Sequence, residues 1–294
     1  MSPIVTLAGG KLHAICNPYE LDGRVTLHPP EARGFAPMNT YLLSEGDDVL
    51  LIDTGISIHT DALLEQLATL IAPTQRIALL HTRLGEYTSI CNSVPIADRF
   101  GCDLIHAEWE DAARWVDFRQ GRGRDADGEL GALGRGPVRV FNVPDTIPVD
   151  AAGTRSLDIF HSTLRLLPTS WLYDATSCTL FTSDMFTHVI RTGAGGPWAV
   201  TAADDDTPRS WLRRHLLSTR YWWIAGARLE EIRASLANTF ATYDIETIAP
   251  DFGCVLHGRE VVRRHWRMLD DVLAEAQSMA PAPMARGGAV PIAT

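Results

Sequence analysis

The stretch Met38-Asn-Thr-Tyr-Leu-Leu43, followed by Glu45-Gly-Asp47 and Asp48-Val-Leu-Leu-Ile-Asp-Thr-Gly55, decides the fold. Two apolar runs of strand length flank a Glu-Gly-Asp turn, which reads as a β-hairpin. The second run ends in Asp53-Thr-Gly55, and a helix is expected to begin at Thr60 or Asp61, either of which can cap it. Leu63, Leu64, Leu67, Leu70 and Ile71 supply its apolar stripe. Arg76-Ile-Ala-Leu-Leu-His81 then reads as a strand, Ser93 to Phe100 as a helix stopped by Gly101, and Cys102-Asp-Leu-Ile-His-Ala107 as another strand. This alternation of strand and helix predicts an α/β architecture.

Residues 1–35 mix short apolar runs with the loop signals Asn17-Pro18 and Pro29-Pro30. Residues 119–137 hold six glycines and few apolar anchors, so they are expected to form a mobile surface loop, a candidate lid. Short strands are expected again at Val138–Phe141, Ser156–Phe160, Thr163–Leu167, Trp171–Tyr173, Thr179–Thr182 and Glu246–Pro250. Helices are expected from Arg228, with Leu229, Ile232, Leu236 and Phe240 on one face, and from Arg259, with Val262, Trp266, Leu269 and Leu273. With no internal repeat, residues 1–278 read as a single domain, and the Ala-, Pro- and Gly-rich residues 279–294 as a disordered tail.

Composition narrows the function classes. The 294 residues are 46% hydrophobic and 21% charged, which suits a well-packed globule and excludes disordered and disulfide-scaffold classes. A net charge of −10 repels phosphate backbones, so no nucleic-acid partner is expected. No apolar run is long enough to span a bilayer, and Met1-Ser-Pro-Ile-Val-Thr lacks a basic, apolar leader, so the reading is a cytoplasmic chain with no membrane partner. The five scattered cysteines show no C-x-x-C and are expected to be reduced. Neither a G-x-S-x-G elbow nor a phosphate-cradling G-x-x-x-x-G-K-[ST] is present. Eight tryptophans would suit a buried interface between copies, so a homo-oligomer is one expectation.

The order Asn39-Thr-Tyr-Leu-Leu43, Leu51-Ile-Asp-Thr-Gly55, helix, strand ending in His81, Leu180-Phe-Thr-Ser-Asp184 and Ile248-Ala-Pro-Asp-Phe-Gly253 resembles the metallo-β-lactamase superfamily. The Trp-rich segment 188–227 and the helix after it are most similar to the flavodiiron and oxygen-binding diiron branch. The resemblance covers roughly residues 35–275 and implies a four-layer αββα sandwich. No flavodoxin-like part follows, so no flavin is implied.

The resemblance also implies a metal motif, H-x-E-x-D-H, whose frame here reads His81-Thr-Arg83-Leu-Gly85-Glu86. Arg83 has no lone pair to give a metal, and Gly85 removes a carboxylate. A later family histidine falls at Arg165 or Leu166, and the last one at Phe252, which reads as an apolar plug. His81, Glu86 and Asp184 remain as ligands, enough for one iron, manganese or zinc ion but not for a pair; the expectation is no metal. Charge balance then predicts that Arg83 contacts Glu86 or Asp184, replacing the metal as the positive centre.

On this reading His81, Arg83, Glu86 and Asp184 are the candidate catalytic residues, with Asp53, Arg165, His188, Asp251 and Phe252 around the pocket. Arg83 would hold a substrate carboxylate or developing negative charge, and Glu86 or His81 would move protons. Asp53 has a plain structural alternative, orienting its loop by accepting backbone N–H bonds. His161, His257 and His265 show no ligand spacing. Three functions stay open: an atypical oxidoreductase-type or biosynthetic enzyme acting on a small, anionic molecule; a metal-free binding or partner protein; and a hydrolase with a single metal.

Overall fold

The computed structural model describes residues 3–110, 112, 116 and 137–281. Residues 119–136 of the expected lid and 282–294 of the expected tail lie outside the described residues. Two seven-stranded sheets are stacked face to face. The first runs in chain order through β1 (Ile4–Leu7), β2 (Leu12–Leu21), β3 (Gly34–Glu45), β4 (Asp48–Ile52), β5 (Arg76–Leu80), β6 (Leu104–Ala107) and β7 (Val138–Val140). Its first four strands are antiparallel neighbours, and β4 to β7 run parallel.

The second sheet contains β8 (Asp145–Pro148), β9 (Ser156–His161), β10 (Ser170–Asp174), β11 (Thr179–Ser183), β12 (Ala199–Val200), β13 (Thr247–Pro250) and β14 (Val255–His257), ordered β12-β14-β13-β11-β10-β9-β8. Helices α1 (Thr60–Leu70), α2 (Tyr87–Ile90) and α3 (Ser93–Phe100) precede β6; α4 (Arg209–Leu217), α5 (Glu230–Thr242) and α6 (Arg259–Gln277) come late.

Alternation along each strand creates the layers. Leu50 and Ile52 turn inward and share a core with Leu157, Ile159, Trp171 and Leu180 of the opposing sheet. Val49 and Leu51 turn outward, against Leu63 and Leu67 of α1 and Val94 of α3. Leu212, Leu236, Leu269 and Leu273 of the late helices join the other side of the central core. The result is the four-layer αββα sandwich. No described helix is long and apolar enough to cross a membrane.

Two expectations fail locally. Asn17-Pro18 is no turn; it lies within β2, where Pro18 pairs with Pro37 of β3. The backbone polar groups of Phe35, Pro37 and Asn39 in β3 face away from β2: Phe35 exchanges bonds of 2.7 and 2.8 Å with Arg191, Pro37 O accepts from Gly253 N at 2.8 Å, and Asn39 N donates to Asp251 O at 2.8 Å. The proline pair therefore occupies a non-hydrogen-bonded position, where no donor is missed. Thr163–Leu167 is not a strand either. Ser162 Oγ donates to Leu164 O at 2.9 Å, closing a turn, and Pro168 follows.

Because β5 runs parallel to β4, and β13 parallel to β11, four strand ends meet at one edge of the sandwich. Asp53 follows β4, His81 to Arg83 follow β5, Asp184 follows β11 and Asp251 follows β13. Gly253 closes this end with a φ of 82°, and a Cβ there would meet Thr187 O at 2.4 Å, so only glycine fits.

Candidate functional site

Arg83 is the centre of the converging strand ends, and its side chain is completely buried. Its Nη2 is bonded to Glu86, its Nη1 stands 3.5 Å from Asp184 Oδ2 and 4.0 Å from Asp251 Oδ2. A buried guanidinium needs such neutralisation, since it keeps its charge and an unpaired one would destabilise the fold. The turn that presents it is local: Glu86 N donates to Arg83 O at 3.2 Å, and Glu86 then leads into α2.

Three residues absent from the sequence reading complete the cluster. Arg220 Nη2 donates to Glu86 Oε2 at 3.1 Å, Tyr221 Oη donates to Asp184 Oδ2 at 3.0 Å, and Thr88 Oγ1 donates to Asp251 Oδ2 at 2.9 Å. Arg220 and Tyr221 come from an irregular segment more than 130 positions after Arg83, with no motif to mark them. Burial pushes the Asp251 carboxyl up to about 7, despite the opposing pull of the Arg83 charge. Burial and then the neighbouring Asp184 push the Tyr221 hydroxyl well up, so it stays a donor.

Several buried polar atoms here have no hydrogen-bond partner: Arg83 Nε and Nη1, Asp184 Oδ1 and Asp251 Oδ1. Leaving such groups unpaired is costly, and they are the atoms free to meet a ligand.

The remaining candidates divide. Asp53 is buried in a left-handed conformation, φ 55°, and accepts Thr82 N at 2.8 Å and Thr82 Oγ1 at 2.7 Å. It fixes the chain just before Arg83, and burial pushes its carboxyl up to about 6. His81 turns toward α3, with Nε2 2.8 Å from Ser93 Oγ. Ser93 Oγ donates to Ile90 O at 2.9 Å, so His81 Nε2 is the protonated nitrogen and Nδ1 carries the lone pair. Burial pushes this ring down to about 3, so it is neutral.

Arg165 does not join the pocket: it is exposed on the 162–169 turn, whose irregular path points it to solvent. Phe252 is buried among Leu21, Leu27 and Met38, edge-on to His28 with ring centroids 5.6 Å apart. His188 is buried and bonded to His265, and lines a cavity of about 10 Å³ together with Asp184, Tyr221, His215 and Phe252.

The residues at this position are a poor fit for a metal pair. Glu86 and Asp184 face a guanidinium, His81 faces Ser93, and among the described residues no group of three or more His, Cys, Asp or Glu side chains is arranged to hold an ion.

No family model matches this sequence, and no curated protein matches it. Solved structures do match in fold. Rubredoxin oxygen:oxidoreductase from Desulfovibrio gigas aligns with a TM-score of 0.64 and 16% identity over 91% of this chain. The Flv1 flavodiiron core from Synechocystis sp. PCC6803 aligns with a TM-score of 0.62 and 16% identity over 90% of this chain. This chain spans 60% of the length of each of those two. Fragment 1–254 of diflavin flavoprotein A 5 from Nostoc sp. PCC 7120 aligns with a TM-score of 0.68 and 12% identity, over 94% of this chain and 96% of that one. The fold is therefore that of the metallo-β-lactamase-like flavodiiron core.

Proposed function

We propose, from that fold as premise, that the chain is an atypical enzyme of the oxidoreductase kind that flavodiiron cores serve, acting on a small anionic molecule at a site centred on Arg83 and not on a metal pair. One observation carries this reading. Arg83 is a fully buried cation whose Nε and Nη1 donate to nothing, while Asp251 beside it is buried with Oδ1 unpaired. Free guanidinium donors suit a carboxylate or enolate oxygen, and developing negative charge there would be stabilised in a water-poor setting. Asp251, pushed up to about 7, can give or take a proton near neutral pH. Glu86 and Arg220 form the outer side of the cluster, with 14% and 17% of their side chains exposed, and are the pair that would part to admit a molecule.

The second reading, a partner protein without catalysis, is favoured by one fact: the cavity beside Asp184 and Tyr221 measures only about 10 Å³, room for about one water and for no small-molecule substrate.

Elemental analysis of protein purified without chelators tests the metal-independent centre. Less than one equivalent of transition metal per chain is expected, and two tightly bound irons or zincs would overturn it. Titration with oxalate and malonate then tests the recognition of anions at Arg83. Wild type is expected to bind one of them at least tenfold more tightly than Arg83→Met; equal binding would remove Arg83 from the recognition of anions.

A further inference from the structure

Behind the Arg83 cluster lie four buried histidines. His28 pairs with Tyr19 Oη at 2.9 Å and His215 with Thr187 Oγ1 at 3.0 Å. The other two are in series: His188 Nε2 lies 2.8 Å from His265 Nδ1, and His265 Nε2 lies 2.9 Å from Asp205 Oδ2. His188 follows β11 by a few residues, His265 sits on α6, and Asp205 precedes α4, so three separate elements build one line. Asp205 is fully buried at the side chain, and Arg264 Nη1 approaches its Oδ2 to 3.0 Å from a position 42% exposed. The line therefore runs from near the surface to the cavity wall shared with Asp184 and Tyr221.

Hydrogen-bond chemistry dictates the proton positions. Burial works against the charge on Asp205, but the bonds from His265 and Thr207 outweigh it and hold the carboxyl well below its usual range. A carboxylate only accepts, so His265 must present Nε2–H. In a neutral His265, Nδ1 is then the acceptor, so His188 must donate through Nε2–H. That leaves His188 Nδ1 as a bare lone pair.

We infer that Asp205, His265 and His188 are a proton relay serving the cavity beside Asp184 and Tyr221, the two residues it shares with the Arg83 cluster, with His188 Nδ1 as its receiving atom. The inference rests on the reading of the Arg83 cluster as a chemical site. A proton arriving at Nδ1 forms a new N–H bond there. The Nε2–H bond of His188 breaks as that proton passes to His265 Nδ1. His188 ends neutral in the opposite tautomer, and His265 ends as an imidazolium against the Asp205 carboxylate. One proton enters, one positive charge appears, and it rests where a counter-charge waits. Without the relay the charge would stay on His188, which burial first, and then His265, His215 and His28, push well below the ordinary histidine range. The groups facing the line are His28 and His215, which burial keeps neutral, Asp184, Arg220 and Tyr221, which line the same cavity as His188, and Asp205 and Arg264 at the other end. A histidine serving packing alone needs one partner; two rings and an acid in series have a direction.

Nitrogen-15 NMR of histidine-labelled full chain, without ligand, tests this. At neutral pH both His188 and His265 should show the neutral Nε2–H tautomer. On acidification His265 should become doubly protonated while His188 passes from Nε2–H to Nδ1–H. In Asp205→Asn the imidazolium at His265 should be lost over the same range. A doubly protonated His188, or a wild-type His188 already in the Nδ1–H form beside a neutral His265, would overturn the relay, as would an unchanged titration in Asp205→Asn. Should that variant fail to fold, the wild-type titration decides alone, and His265→Gln should abolish the tautomer change at His188. These signals are read without metal or substrate, so they stand or fall separately from the metal analysis and the anion titration.

Discussion

Among the described residues two arginines are buried, and they are buried differently. Arg155 donates through Nε to Asp174 Oδ1 at 3.2 Å, through Nη2 to Oδ2 at 2.5 Å, and through Nη1 to Lys11 O at 2.9 Å and Ser44 O at 3.2 Å. Every nitrogen is used, by one carboxylate and two backbone carbonyls from the other sheet. Arg83 has more negative charge around it, from Glu86, Asp184 and Asp251, yet two of its nitrogens make no hydrogen bond. Arg155 is a structural clamp with its capacity exhausted. Arg83 is held by charge with donors to spare, which is how a recognition residue differs from a clamp.

Removing the clamp should cost most. Arg155→Met leaves Asp174 buried beside only Thr176 N and Ser177 Oγ, and is expected to destabilise by about 3–5 kcal/mol in denaturant melts. A loss under about 1 kcal/mol would erase the distinction between the two arginines.

Arg83→Met should cost less, roughly 1–4 kcal/mol, because the acids left behind can take up protons and Tyr221 and Thr88 still serve them. Adding Glu86→Gln should recover part of that loss, since the two are bonded. Strictly additive losses in the double-mutant cycle would mean that Arg83 and Glu86 do not act as a pair.

The third test is pH. Asp251 has a raised folded-state value of about 7 against an ordinary 3.8, so this one carboxyl binds more protons in the folded chain than in the unfolded one between those limits. The Asp251 contribution to stability should therefore fall as pH rises from about 4 to about 7, by at most about 1.4 kcal/mol per pH unit. The buried neutral histidines His28, His81, His188 and His215 pull the other way as pH rises toward the ordinary histidine range. In Asp251→Asn the Asp251 contribution should be absent, so the difference in stability between the two proteins should change with pH across that window. Identical slopes in the two proteins would show Asp251 ionised throughout. Smallest is Arg220→Gln, at the outer side: a change of about 0.2–1 kcal/mol, read by thermal melts at low and high salt.

How much of this was legible in the chain follows from distance along it. The hairpin around Gly46, the helix from Thr60 and the run ending at Arg83 and Glu86 each declare themselves within a dozen residues, by periodicity or by a family frame. The Arg83–Glu86 contact could be foreseen because three positions separate the partners. Tyr221, Arg220 and Thr88 could not, since nothing in their own neighbourhoods marks a partner that arrives from another strand end. The same applies to His265, which lies on a helix with an ordinary apolar stripe and reads as one more core residue. Arg165 is the opposite case: the family frame assigns it to the pocket, but it lies on a turn that the fold sends outward. Asn17-Pro18 carried a true loop signal, cancelled by a register that asks no donor of either proline.

The bonds from β3 to Arg191, Asp251 and Gly253 have a consequence for synthesis. Each sheet is built from one contiguous half of the chain, so the first sheet can form while the second is still being translated. Until Asp251 and Gly253 emerge, however, the outer edge of β3 at Phe35 to Asn39 stays open, and Arg83 faces only Glu86 of its eventual counter-charges. The nascent first half thus carries both an unsatisfied strand edge and a half-neutralised arginine, which is the condition under which a chain recruits a chaperone or pairs with a neighbour. Joins across more than 200 positions are also the slow ones, since loop closure precedes any reward from contact. The turn between β13 and β14, late in translation, is the one that completes the site.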